Sequence, residues 1–155
     1  MTSPAELNLK NLGITLPEAP SPAANYMPYV IVGDMVYVSG QVPFVNGGLQ
    51  VTGKVGDTVT IEQAAGEARI CAINLLAQLK HACGGDLSRV VQVVKLGGFV
   101  ACTNDFTDQP EVMNGASNLM VDAFGEAGRH ARFAIVTNAC PRGTCVEVEG
   151  IFQIS

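Results

Sequence analysis

Residues 129–154 read RHARFAIVTNACPRGTCVEVEGIFQI. Two apolar runs, beginning at Ala131 and Val146, flank the turn residues Pro141–Arg142–Gly143–Thr144. This pattern predicts two β-strands joined by a tight turn. Arg132 stands at the start of the first strand and Glu147 early in the second. A guanidinium stays charged at physiological pH and grips a carboxylate through two parallel hydrogen bonds. A glutamate brought near it across the turn handles protons or orients a water. With little else polar around them, the two residues point to a small acidic ligand. The competing reading is an ion pair bracing a hairpin, a common arrangement of slight energetic weight.

Working outward, the chain has 155 residues, which suits a single domain over 1–155 with residues 1–25 as an N-terminal arm. It is 48% hydrophobic and only 15% charged, so it can build a sizeable core and is not disordered. So little charge leaves thin polar cover for a monomer, and an oligomer that hides apolar surface is expected. Net charge is −5 and Lys and Arg are nowhere clustered, which argues against a general nucleic-acid binder. There is no run of about 18 apolar residues, so no membrane span is expected. The start, MTSPAELNLK, lacks the basic-then-apolar pattern of a secretory signal. Five cysteines, an odd number, suit a reducing, cytoplasmic setting with free thiols. A cross-strand disulfide between Cys140 and Cys145 is geometrically conceivable. His81 and His130 lie far apart in sequence and no CxxC pair exists, so no metal site is expected.

The periodicities give an order of elements. Ser3, Pro4 and Glu6 have the pattern of a capped helix over 3–12 that stops at Gly13. Pro17, Pro20, Pro22 and Pro28 then keep the chain extended. Tyr29–Val32 and Met35–Gln41 read as strands turned at Gly33–Asp34. Asn46–Gly47–Gly48 marks another hairpin or loop; it lacks the lysine of a phosphate-binding loop. A long helix begins at Thr58 or Thr60 and runs to about His81, with Ala64, Ala68, Cys71, Leu75, Leu76 and Leu79 on one face. His81 suits the negative end of that helix dipole. Residues 90–102 form a strand with a bend expected at Gly97–Gly98. A second helix spans about 109–126. Its middle, Asn114–Gly115–Ala116–Ser117–Asn118, contains poor helix formers whose presence calls for close packing or ligand contact. The order β-β-α-β-α-β-β predicts an α+β sandwich, both helices on one face of a mixed sheet and the other face solvated or packed on another subunit.

Several pieces together resemble the RidA/YjgF family of imine and enamine deaminases. They are Pro28–Tyr29, Ser39–Gly40–Gln41–Val42–Pro43, residues 84–91 (GGDLSRVV), Thr103–Asn104–Asp105–Phe106, and Ala131–Arg132 followed by Pro141 and Val146–Glu147–Val148–Glu149. The resemblance implies a fold like trimeric chorismate mutase, with active sites in clefts of a homotrimer. It implies hydrolysis of small 2-imino or enamino acids to 2-keto acids without metal or organic cofactor. It places the substrate carboxylate on Arg132 and water handling on Glu147. Tyr29, Ser39–Gly40 and Asn118 would line the pocket, with Asn114 competing for the place of Asn118. Ala134 stands where the active deaminases carry a cysteine, and the segment between Phe106 and Arg132 is longer than in the best-known members. These departures mark a divergent branch, with His130 at the pocket rim. They keep open a non-enzymatic carboxylate binder or regulatory protein. The ribonuclease or translation-inhibitor activity of some relatives fits the acidic balance least.

Overall fold

The computed structural model describes residues 2–21 and 24–155; Met1, Pro22 and Ala23 lie outside the described residues. Helix α1 (Pro4–Asn11) starts at Ser3, whose hydroxyl accepts from the Glu6 amide while the Glu6 carboxylate accepts from the Ser3 amide. Strands β1 (Tyr29–Val32) and β2 (Met35–Gln41) form a hairpin, and the short pair β3 (Phe44–Val45) and β4 (Gly48–Leu49) turns at Asn46 and Gly47. Both turn residues have positive φ, 51° and 78°, which asparagine and glycine tolerate. Helix α2 (Ile61–Ala82) is capped by Thr60 and Gln63. Strand β5 (Val90–Ala101), helix α3 (Gln109–Phe124), strand β6 (Ala131–Thr137) and strand β7 (Val146–Ile154) complete the order.

The five longer strands form one mixed sheet in the order β1-β2-β7-β5-β6. Only β5 and β6 are parallel, joined by the α3 crossover. Helices α2 and α3 pack on one face. Leu96 and Val100 of β5, Val146, Val148 and Phe152 of β7, Leu75, Leu76 and Leu79 of α2, and Leu119 and Met120 of α3 are fully buried there. Each such leucine stabilises the fold by roughly 1.5–3 kcal/mol. The α+β sandwich with two helices on one face of a mixed sheet is as expected. Among the described residues, no helix is long and apolar enough to cross a membrane.

Two local expectations are corrected. Strands β6 and β7 are not a hairpin pair, because β5 lies between them and bonds to both. Residues 138–145 cross the end of β5, where the Ala101 amide donates to the Cys145 carbonyl. Pro141–Gly143 is a single turn within that crossing. Nor does the ladder shift at Gly97–Gly98; its irregularities lie between Val90 and Gln92 and between Val93 and Lys95. The two glycines make room instead. A side chain at Gly97 would strike Phe133 and Glu149, and one at Gly98 would strike Met113. All five cysteines are free and buried, so Cys140 and Cys145 form no disulfide.

Candidate active-site residues

Side chains alternate between the two faces of a strand, and this decides where each expected site residue points. On β6, Arg132 is in register with buried Leu96 and faces the helices. On β7, Glu147 is in register with Phe99 and faces the open side of the sheet, between buried Val146 and Val148. The two therefore lie on opposite faces, two strands apart, about 10 Å in that direction alone. No ion pair joins them, and the expectation that a turn brings them together is corrected.

Arg132 is held from α3. Its Nη1 donates to Asn114 Oδ1 at 2.9 Å and to Ser117 Oγ at 3.1 Å. Among the described residues Nη2 and Nε have no protein acceptor, and no carboxylate pairs with this guanidinium. One edge of the fork is thus fixed and the other is available to a ligand. Asn118 does not take part; it is exposed and forms no side-chain hydrogen bond among the described residues. Successive helical residues point about 100° apart, so with Ser117 turned to Arg132, Asn118 is carried away and Asn114 is the asparagine that meets the guanidinium. Ser117 was among the poor helix formers of 114–118, and that composition was the signal for it. Gly115 supplies the other explanation. Its Cα faces the backbone of Ala65 on α2, and an added Cβ would lie 2.7 Å from that carbonyl carbon. His130, expected at the rim, is half-buried beside Ser117, its Nε2 2.9 Å from the hydroxyl.

Glu147 rests on Gly40 of β2. A side chain at Gly40 would overlap the Glu147 carboxylate and lie 3.1 Å from its Cδ. Burial, and then the neighbouring Glu149, push the Glu147 carboxyl above its ordinary pKa. Ser39 is bonded to the segment that precedes β1. Its amide donates to the Pro28 carbonyl and its hydroxyl to that of Met27, tying the residues just before β1 to β2. Tyr29 lies on β1, in register with buried Val38, and its hydroxyl is 2.9 Å from His81 Nδ1. Tyr29 and Arg132 occupy strands at opposite edges of the sheet, four spacings or about 19 Å apart. Ala134 packs on the core in register with Gly98 and brings no polar group.

A sheet of this topology, its helices on one face and its polar residues divided between an edge and the bare face, defines the chorismate-mutase-like α+β class. The chain belongs to the YjgF/RidA family. Residues 6–149 match the model of the YjgF/chorismate mutase-like family, which carries endoribonuclease as a provisional label. The chain is 44% identical over 149 residues to Protein TCP17 of Trypanosoma cruzi, covering 96% of this chain and 92% of that one. It superposes on the crystal structure of Atu1372, a protein of unknown function from Agrobacterium tumefaciens, with a TM-score of 0.92 and 47% identity over 97% of this chain and 92% of that one. RidA from an Antarctic Psychrobacter is more distant, with a TM-score of 0.59 and 27% identity over 88% and 94% of the two chains.

Proposed function

We propose that the protein hydrolyses small 2-imino and enamino acids to 2-keto acids and ammonia, in clefts between copies of the chain in a homotrimer. One observation carries the reading. Arg132 is fixed through a single nitrogen, has no carboxylate partner among the described residues, and keeps one N–H edge of its fork free. A bidentate carboxylate fits that edge. The division of Arg132, Tyr29 and Glu147 between two edges and two faces supports completion of the site by a second copy. So does the apolar open face, where Tyr37 and Ile135 are 46% and 48% exposed.

In this reading Arg132 clamps the substrate carboxylate and presents the C=N carbon to water. An enamino acid first takes a proton at carbon to become the protonated imine. Glu147 of the neighbouring copy takes a proton from the water as its oxygen bonds to the carbon of the protonated imine, giving a neutral carbinolamine. The protonated carboxyl then gives that proton to nitrogen. Ammonia leaves as the C–N bond breaks and the C=O bond forms, and the hydroxyl proton passes to Glu147, which releases it to solvent. A carboxyl held above its ordinary pKa suits both directions of transfer. Tyr29, Gly40 and Asn114 would line the cleft, and the imine, already electrophilic, needs no added cofactor.

Ala134 favours a second reading. With an apolar methyl where the deaminases carry a sulfur, the same cleft could bind a small carboxylate without turning it over, as a regulatory protein. Ribonuclease activity, the family's provisional label, sits poorly with 14 acidic against 9 basic residues.

Keto-acid release from freshly generated 2-aminoacrylate and 2-iminobutyrate tests the proposal. Arg132→Ala and Glu147→Gln should each abolish turnover while the oligomer persists. Unfolded and refolded together in equal amounts, the two variants should recover about a quarter of wild-type activity, because a random assembly pairs an intact Arg132 with an intact Glu147 in that fraction of interfaces. Full turnover by Arg132→Ala refutes the assignment. Carboxylate binding with no turnover by the wild type establishes the second reading.

A further inference from the structure

His130 and Ser117 play no part in the reaction just described, yet they form a hydrogen-bonded line that ends on its central residue. His130 Nδ1 lies 2.6 Å from the Gly128 carbonyl oxygen. A carbonyl only accepts, so this nitrogen carries the hydrogen. Nε2, the other ring nitrogen, then accepts a hydrogen bond from the Ser117 hydroxyl across 2.9 Å. With its one proton committed, Ser117 Oγ turns a lone pair to Arg132 Nη1 at 3.1 Å. Each bond fixes the polarity of the next, from a backbone carbonyl to the guanidinium.

Both ends of the line are anchored by close backbone packing. Gly128 is buried against the end of α3, where a side chain would lie 2.6 Å from the Met120 carbonyl carbon and 2.8 Å from Val121 Cα. That contact places the carbonyl that receives His130. Gly115 pins α3 to α2 between Asn114 and Ser117. The motif Asn114–Gly115–Ala116–Ser117 and the Gly128–Arg129–His130 step into β6 thus converge on one nitrogen of Arg132. A single acceptor would leave the guanidinium plane free to swing. Two acceptors on Nη1, one of them oriented by a histidine, define the direction of the free edge.

We propose that Ser117 and His130 are positioning residues that act as one unit to aim Arg132 at a small carboxylate. This rests on the reading of Arg132 as the carboxylate clamp. Loss of either residue removes the same constraint, so their effects do not add.

Calorimetric titration with 2-oxobutanoate tests it. Ser117→Ala and His130→Phe should each raise the dissociation constant about five- to tenfold, the worth of one ordinary oriented hydrogen bond. The double variant should be no weaker than the singles. His130→Gln, whose amide oxygen can accept the Ser117 proton, should bind within about twofold of wild type. Ser117→Ala and His130→Gln remove little volume, so they decide the matter should His130→Phe fail to fold. Unchanged binding in Ser117→Ala, beside lost binding in Arg132→Ala, overturns the proposal and leaves the clamp intact. Losses that multiply in the double variant, or His130→Gln as weak as Ser117→Ala, overturn it too. Wild-type binding by Arg132→Ala removes the clamp itself, and the positioning role with it.

Discussion

The carboxylate of Glu147 lies against the bare Cα of Gly40, in space that any other residue at position 40 would fill. Strands β2 and β7 are neighbours here, and their register shifts between Val38 and Gln41, so Gly40 falls beside Glu147 on the open face. The glycine thereby sets where the carboxylate sits.

Gly40→Ala is expected to push that carboxylate aside and leave the fold in place, because the flexible end of a side chain gives way more readily than backbone. Displacement of a proton-transfer group by about 1 Å lowers turnover by up to about 100-fold. Steady-state kinetics should therefore show a fall of 10- to 100-fold in kcat, with the urea midpoint little changed. An alanine variant with wild-type kcat would separate Glu147 from the chemistry.

The acid limb of the pH–rate profile should reflect Glu147. Its carboxyl is raised first by burial and second by Glu149. A general base must be ionised, so activity should fall as pH drops through this raised pKa, above the ordinary glutamate value of about 4.3. Glu149→Gln removes the like charge and should move the limb to lower pH. The sign for stability is opposite to that of a salt-bridged acid. Glu147 favours the folded state most below the unfolded pKa, and this contribution is lost as pH rises through the folded pKa.

Gly115→Ala tests how α3 is held. The added methyl meets the Ala65 carbonyl of α2, and backbone must move to admit it. Overpacking of this kind destabilises by about 1–3 kcal/mol, read as a lower urea midpoint. Arg132 function should fall with it, since Asn114 and Ser117 move with the helix.

The cysteines should be inert in the native state. Burial is the first cause that raises the Cys140 and Cys145 thiols to about 11, and it raises Cys71 still more strongly. Nucleophilic attack needs the thiolate, so a thiol reagent at pH 8 should label these positions at the rate of unfolding, and quickly only in denaturant. Rapid labelling of Cys140 in the folded protein would contradict its burial.

Much of this was legible in the residues alone. The caps at Ser3 and Thr60, the strand bounds at Met35–Gln41 and the apolar face of the long helix depend on neighbours within a few positions. Local chemistry therefore specifies them. The 114–118 segment announced itself because asparagine, glycine and serine oppose a helix unless something outside the helix rewards them. Asn118 rests on the likeness of Ser117–Asn118 and Ala123–Phe124 to the family's second helix, and such a likeness says nothing of which turn of the helix meets β6.

The sequence by itself determined the elements, their order, the apolar surplus and the pair Arg132 and Glu147, because these follow from periodicity, capping and residue chemistry. Only the tertiary structure decided that β5 separates β6 from β7 and that Arg132 and Glu147 take opposite faces. Strand order is a non-local choice, set by how the α3 crossover and the 138–145 loop pack the sheet under its helices. That choice turns an apparent hairpin ion pair into two separated residues, an arginine at the sheet edge and a glutamate on its open face.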